Sequence, residues 1–326
     1  MNLAEKLPKP RMLFLNGKLI PRRVTIETIF DCNFRCEMCP WADIEKNQAT
    51  GRKEGPMDHE LFMHIIDSLV PYREHIEMMD LFGLGEPLMD RMICQRIRYA
   101  KDKGFKNLAF ATNAALLTPR VQAELLDTGI ETIIFSIDGA TKETYEKIRI
   151  RGNFDKVVAN CFGMIKRRNE GNYKTRFIVR FVRQNDNRNE WPLFQEFWSR
   201  EFSASKRDLI GRYDVHTWGG ATGDKDKTLM AGRDKSIERA SCYLIFEVLN
   251  ILANGTVPLC HEDWHKARYD MGNVSNADPI DVFNAVKYKK IRDLHDAGNK
   301  NKLPMCAACT VLYSDATKEY SSPTIQ

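Results

Sequence analysis

The sequence predicts an α/β fold: a partial, open (β/α)6 barrel followed by a small C-terminal domain organised by cysteines. Three observations carry this reading. Six apolar strand-like segments alternate with helix-like ones between residues 24 and 216. Apolar strands joined through helices argue for a parallel sheet with helices packed on it, and six units are too few to close an eight-stranded barrel. Finally, seven of the nine cysteines fall in two groups some 200 residues apart, one directly after the first strand and one near the C-terminus.

The elements follow in order. Residues 1–23 form an N-terminal lead-in, with Asn16-Gly17 as a hairpin turn. Strands are expected at 24–30, 76–82, 107–112, 131–137, 175–182 and about 209–216, together making a barrel over 24–216. Helices are expected at 58–70 with Asp58 as N-cap, at 91–103 ending before Gly104, and at 119–128 behind the Thr118-Pro119 pair. Others are expected at 141–148, 154–169 and 189–200. Residues 217–241, rich in Gly, Asp and Lys, read as a linker or substrate-side loop. The C-terminal domain, 242–326, opens with a hairpin turning at Asn254-Gly255, followed by a helix with Asp278 as its N-cap.

Composition narrows the class. A net charge of +5, from 49 Lys+Arg against 44 Asp+Glu, is too slight for a nucleic-acid or membrane surface. With 43% apolar and 29% charged residues the chain is not mostly disordered. The first 25 residues hold no signal-peptide core, and no run of 18 apolar residues occurs. These features point to the cytoplasm, where thiols stay reduced, so the cysteines suggest metal ligands or catalysis before disulfides.

Cys32, Cys36 and Cys39 form C-x3-C-x2-C within DCNFRCEMCPW. A closed zinc site wants four ligands. A [4Fe–4S] cluster has four corners, so three cysteines leave one iron open to a small molecule such as S-adenosylmethionine (SAM). Cys242, Cys260 and the C-x2-C pair Cys306 and Cys309 supply four ligands, enough for a fully ligated cluster or for zinc.

The run VTIETIFDCNFRCEMCP resembles the first strand and cluster loop of the radical SAM superfamily. The resemblance implies a partial radical SAM barrel in which Cys32, Cys36 and Cys39 hold the SAM-binding [4Fe–4S] cluster, with Met38 near the adenine. FGLGEP at 82–87 resembles the family's Gly-Gly-Glu element, placing Gly85 and Glu86 at the SAM amino group, although Leu84 stands where some members have a glycine. Thr112 and Asn113 end the third strand, and Ser136 and Asp138 end the fourth. By resemblance Ser136 meets the SAM ribose or carboxylate, while Asp138 is equally a helix cap. Arg149 resembles the arginine that pairs the SAM carboxylate, with Arg151 as the alternative.

The C-terminal pattern resembles the SPASM/Twitch extensions of the same superfamily. Full SPASM domains carry about seven cysteines. The four here imply the shorter form with one auxiliary [4Fe–4S] cluster, similar to that of the 2-deoxy-scyllo-inosamine dehydrogenases of aminoglycoside pathways.

Catalytic candidates outside the clusters are Arg180, His216, Trp218, Cys94 and Cys161. Arg180, within the fifth strand, faces either the barrel interior and a substrate oxygen or a rim. His216 and Trp218 end the sixth strand. Cys94 and Cys161 are either small buried hydrophobes or thiol hydrogen donors to a substrate radical. The resemblance implies reductive cleavage of SAM, hydrogen abstraction by a 5′-deoxyadenosyl radical and, with a closed auxiliary cluster to take an electron, oxidation of a carbinol. The expected partners are a sugar-like or cyclitol small molecule and a flavodoxin- or ferredoxin-type electron donor, without nucleic acid or membrane. An epimerase, a peptide-modifying enzyme and a zinc-stabilised binding protein are the alternatives.

Overall fold

A parallel sheet needs strands that are apolar toward their helices, and alternation along the strands supplies that face here. The computed structural model describes residues 3–42, 51–222 and 235–323. Residues 223–234, the middle of the expected linker, lie outside them. A hairpin, β1 (Leu13–Leu15) and β2 (Lys18–Ile20), turns at Asn16-Gly17, both at positive φ. The barrel strands are β3 (Arg23–Ile26), β6 (Met78–Asp80), β7 (Leu108–Thr112), β8 (Thr132–Ser136), β9 (Arg176–Arg183) and β10 (Leu209–Asp214), with the short pair β4 (Ile29–Phe30) and β5 (Gly55–Pro56) between β3 and β6. All six barrel strands run parallel in the order 3-6-7-8-9-10. The expected open (β/α)6 barrel is present.

Helices α1 (His59–Leu69), α2 (Ile93–Asp102), α3 (Pro119–Asp127), α4 (Lys142–Ile148), α5 (Phe154–Glu170) and α6 (Trp191–Ser199) follow the strands. Asp58 caps α1 by accepting from Leu61 N, and Thr118 caps α3 by accepting from Val121 N, as the sequence predicts. Phe177, Val179 and Phe181 of β9 are fully buried. Phe181 packs on Trp191 and Phe194 of α6 with ring centroids 5.7 and 4.8 Å away. The alternate residues Arg176, Ile178, Arg180 and Val182 therefore face the barrel interior.

Three expectations are corrected. The first strand does not run unbroken to residue 30: it leaves the sheet at Glu27-Thr28, because Ile29–Phe30 pairs antiparallel with Gly55–Pro56. The Asn254-Gly255 turn is present, with Gly255 at φ +81°, but its arms pair elsewhere. β11 (Val248–Ile251) lies parallel to β3, while β12 (Thr256–Pro258) pairs antiparallel with β13 (Asp270–Asn273). The helix after Asp278 is two helices, Pro279–Phe283 and Val286–Asp296.

The C-terminal part also enters the barrel sheet. β11 extends it beyond β3, and β14 (Glu319–Ser321) runs antiparallel to β10 at the other edge, making eight strands. Gly211 of β10 accepts this because a Cβ there would sit 2.8 Å from Cε1 of Tyr320.

Candidate functional site

The C-terminal ends of β3, β6, β7, β8 and β10 converge around the first cysteine loop. Cys36 is buried, and Cys32 and Cys39 are half-buried. The loop is tightened by Cys39 N donating to Cys36 O at 2.9 Å, by Phe34 N donating to Cys32 Sγ at 3.4 Å and by Trp41 Nε1 donating to Cys32 O at 3.2 Å. Burial pushes all three thiols up, Cys39 to about 12. Thiols that resist ionisation alone become thiolates when a metal replaces the proton.

Gly85 seats this loop. A Cβ on it would lie 2.2 Å from Ile29 O and 2.8 Å from Asp31 O, and Glu86 N donates to Asp31 O at 2.8 Å. The glycine thus lets two protein backbones touch. Gly83 similarly leaves room for Glu27, whose carboxylate accepts from Leu84 N at 3.2 Å and Ala253 N at 3.0 Å. Glu27 was missed in the sequence, although a lone acid within an apolar strand marks it.

Glu86 is buried and accepts from Thr112 Oγ1 at 2.6 Å, Asn113 N at 2.7 Å and Leu88 N at 3.1 Å. Burial nonetheless raises its pKa. Asn113 Nδ2 reaches Asn33 Oδ1 of the cysteine loop at 2.8 Å. Gly85, Glu86, Thr112 and Asn113 are therefore brought together with that loop.

Asp138 is not a helix cap; Thr141 caps α4. Instead Asp138, fully buried, accepts from Arg149 Nε at 2.6 Å and Val182 N at 2.7 Å. Arg149 Nη1 in turn lies 3.7 Å from Cys36 Sγ. Arg151 is exposed at φ +74° and makes no such contact. Ser136 pairs in register with Arg180, whose Nη2 donates to Ser136 Oγ at 2.9 Å on the inner face of the sheet. Of the two poses expected for Arg180, the interior one is realised.

His216 and Trp218 connect the two cysteine groups. Trp218 Nε1 donates to Met38 O at 2.9 Å, and its ring lies 4.8 Å from that of His216. His216 Nδ1 is 3.0 Å from Glu262 Oε2, and Cys309 Sγ lies 3.9 Å from the same oxygen. Against the burial that opposes its charge, His216 and then His261 hold the Glu262 carboxyl well below the usual range. Glu262 gave no sequence signal, because its contacts with His216 and Cys309 lie 46 and 47 residues away in the chain.

Cys242, Cys260, Cys306 and Cys309, drawn from three separate segments, line one cavity with Glu262, His295, Lys300 and Met305. Burial raises each thiol, and each of the other three thiols raises Cys260 further, as expected where four thiolates would crowd. Four sulfurs around one cavity, those of Cys242 and Cys260 buried and those of Cys306 and Cys309 on half-buried residues, fit a four-cysteine iron–sulfur cluster. Cys94 sits half-buried on α2 and Cys161 fully buried on α5, neither of them on a strand end.

Comparison with known proteins agrees with this layout. The model of the radical SAM superfamily matches residues 26–187, and that of an iron–sulfur cluster-binding domain, SPASM, matches 242–310. The cofactor-modifying protein of the tungsten-containing aldehyde ferredoxin oxidoreductase of Pyrococcus furiosus is 34% identical over 116 residues, 35% of this chain and 30% of that protein. An AdoMet-dependent heme synthase of Methanosarcina barkeri is 31% identical over 140 residues, 43% of this chain and 38% of that protein. The chain thus spans only about a third of the length of these curated relatives. Among solved structures, BtrN in complex with AdoMet and 2-DOIA superposes with a TM-score of 0.59 at 16% identity, covering 89% of this chain and 93% of that one. SuiB of Streptococcus suis bound to the precursor peptide SuiA gives 0.64 at 15% identity, covering 91% and 72%. The chain belongs to the radical SAM superfamily and carries a SPASM domain, so its cofactors are SAM, a SAM-binding [4Fe–4S] cluster and auxiliary iron–sulfur chemistry.

Proposed function

We propose that this enzyme oxidises a carbinol of a sugar-like or cyclitol substrate to a ketone. Cys32, Cys36 and Cys39 hold the SAM-binding cluster, and Cys242, Cys260, Cys306 and Cys309 hold the auxiliary one. The barrel is 24–216 and the auxiliary domain 242–326. The observation that carries the reading is a cavity lined by four cysteines and joined through Glu262 and His216 to the barrel mouth. The fold likeness to BtrN, which runs nearly the full length of both chains, supports it.

When bound, the cofactors supply a one-electron cleavage of SAM and an acceptor for the electron left on the substrate. The protein contributes orientation and exclusion of water. Gly85 and Glu86 set the cysteine loop against the ends of β6 and β7, where Thr112 and Asn113 complete the SAM side with Met38. Arg149, fixed by Asp138, is a positioning residue beside Cys36. Ser136 and Arg180 offer a hydroxyl and a guanidinium to SAM or substrate oxygens from the inner face. His216, held by Glu262, takes the carbinol proton. In sum one alcohol and one SAM give one ketone, methionine, 5′-deoxyadenosine and a proton. The electron that a flavodoxin- or ferredoxin-type donor would supply to cleave SAM is balanced by the one the substrate would release to the auxiliary site held by Cys242, Cys260, Cys306 and Cys309.

Anaerobic turnover with SAM, a reductant and a panel of aminocyclitols and sugars tests this. Ketone and 5′-deoxyadenosine should form in equal amounts. SAM consumption with any cyclitol that bears no two-electron-oxidised product would sink the reading. Peptide modification is the second reading, favoured by the likeness to peptide-bound SuiB.

A further inference from the structure

The cavity lined by the four C-terminal cysteines has a wall that carries a hydrogen-bond donor with nowhere to point. His295, on the helix Val286–Asp296, is 2% exposed. Its Nδ1 lies 3.4 Å from the backbone nitrogen of Cys242. A ring nitrogen that faces an N–H accepts, so in the neutral ring the hydrogen resides on Nε2. That Nε2 is buried and makes no hydrogen bond among the described residues, and the side chain lines the cavity. A buried donor left without a partner is costly and rare. Lys300 lines the same cavity and is 7% exposed. Its ammonium donates to Ile237 O at 2.7 Å, which uses one of its three hydrogens.

We propose that His295 donates a hydrogen bond from Nε2 to a sulfur of the auxiliary iron–sulfur cluster, with Lys300 adding positive charge to the same cavity. This rests on the assignment of a cluster to Cys242, Cys260, Cys306 and Cys309. Hydrogen bonds to cluster sulfurs and nearby positive charge both favour the reduced, more negative state and raise the reduction potential. A raised potential suits a cluster whose task is to accept an electron. The orphaned donor thus has a use that apolar packing would not provide.

The test uses the full chain with Cys32→Ala, Cys36→Ala and Cys39→Ala, so that only the auxiliary site loads on anaerobic reconstitution with iron and sulfide. In this background the protein should retain about four irons. Redox titration followed by electron paramagnetic resonance then compares His295, His295→Leu and His295→Gln. The leucine variant should show a more negative midpoint, a roughly tenfold weaker electron affinity or about 59 mV for one electron. Glutamine, whose side-chain amide donates at similar reach, should recover most of the difference. Equal midpoints, or a positive shift in the leucine variant, would overturn the proposal. Should the leucine variant shed its iron, pulsed resonance on the 15N-histidine-labelled background decides. A weak nitrogen coupling to the reduced cluster that disappears in His295→Gln supports the hydrogen bond, and no coupling overturns it. A background protein without iron would instead overturn the cluster assignment, and the proposal with it.

Discussion

The indole Nε1–H of Trp218 donates to the backbone carbonyl of Met38 across 2.9 Å, tying the loop after the sixth barrel strand to the residue just before Cys39. Trp218→Phe keeps the ring and removes the donor. It should cost about 1 kcal/mol, read as a lower denaturant midpoint of the anaerobically loaded protein. An unchanged midpoint would show that the contact is incidental.

Gly85→Ala places a methyl 2.2 Å from a backbone oxygen, so neither partner can give way by turning a side chain. The cysteine loop must move. Iron content should fall from about eight to about four per chain, because the second cluster is untouched. Full iron content in this variant would contradict the role given to the glycine.

Asp138→Ala leaves the Arg149 guanidinium buried without its carboxylate and frees Val182 N. Removing one partner of a buried pair typically costs about 3–5 kcal/mol. Asp138→Asn, which retains an acceptor, should cost less. Urea unfolding of both variants measures the difference.

Tyr288 is fully buried, and its hydroxyl donates to Pro258 O and Leu259 O at 3.1 and 3.0 Å. Burial raises its pKa above the ordinary 10.0. Its stabilising contribution is therefore whole below pH 10.0 and declines above it, as the unfolded chain releases a proton that the folded one keeps. Tyr288→Phe should lose about 1 kcal/mol at neutral pH and show a shallower alkaline decline.

Cys94→Ala and Cys161→Ala should each leave ketone formation intact. Both thiols lie on helices, and Cys161 is enclosed in the core. If either variant still cleaves SAM but yields no product, a hydrogen-donating thiol, and with it an epimerase, becomes the better reading.

Much of this was legible because it is local. The C-x3-C-x2-C spacing, the Thr118-Pro119 cap and the alternation in TRFIVRFV each act within a few residues. What was hidden depends on long-range closure. Glu262 meets His216 across 46 residues and Glu27 meets Ala253 across 226. No periodicity encodes such meetings. The pairing of β11 with β3 was likewise invisible, since the hairpin signal at Asn254-Gly255 is satisfied locally whichever strand its first arm joins.

The two outer strands of the barrel sheet, β11 and β14, both come from beyond residue 247. A chain emerging from the ribosome therefore carries a barrel whose β3 edge stays bare until residue 251 is made and whose β10 edge stays bare until residue 321. Exposed edges invite foreign pairing, so this interval is when the protein is most open to aggregation. Once closed, the same arrangement anchors the C-terminal part to both edges of the barrel sheet. In the proposed reaction, the sheet thereby sets how near the auxiliary site stands to the substrate.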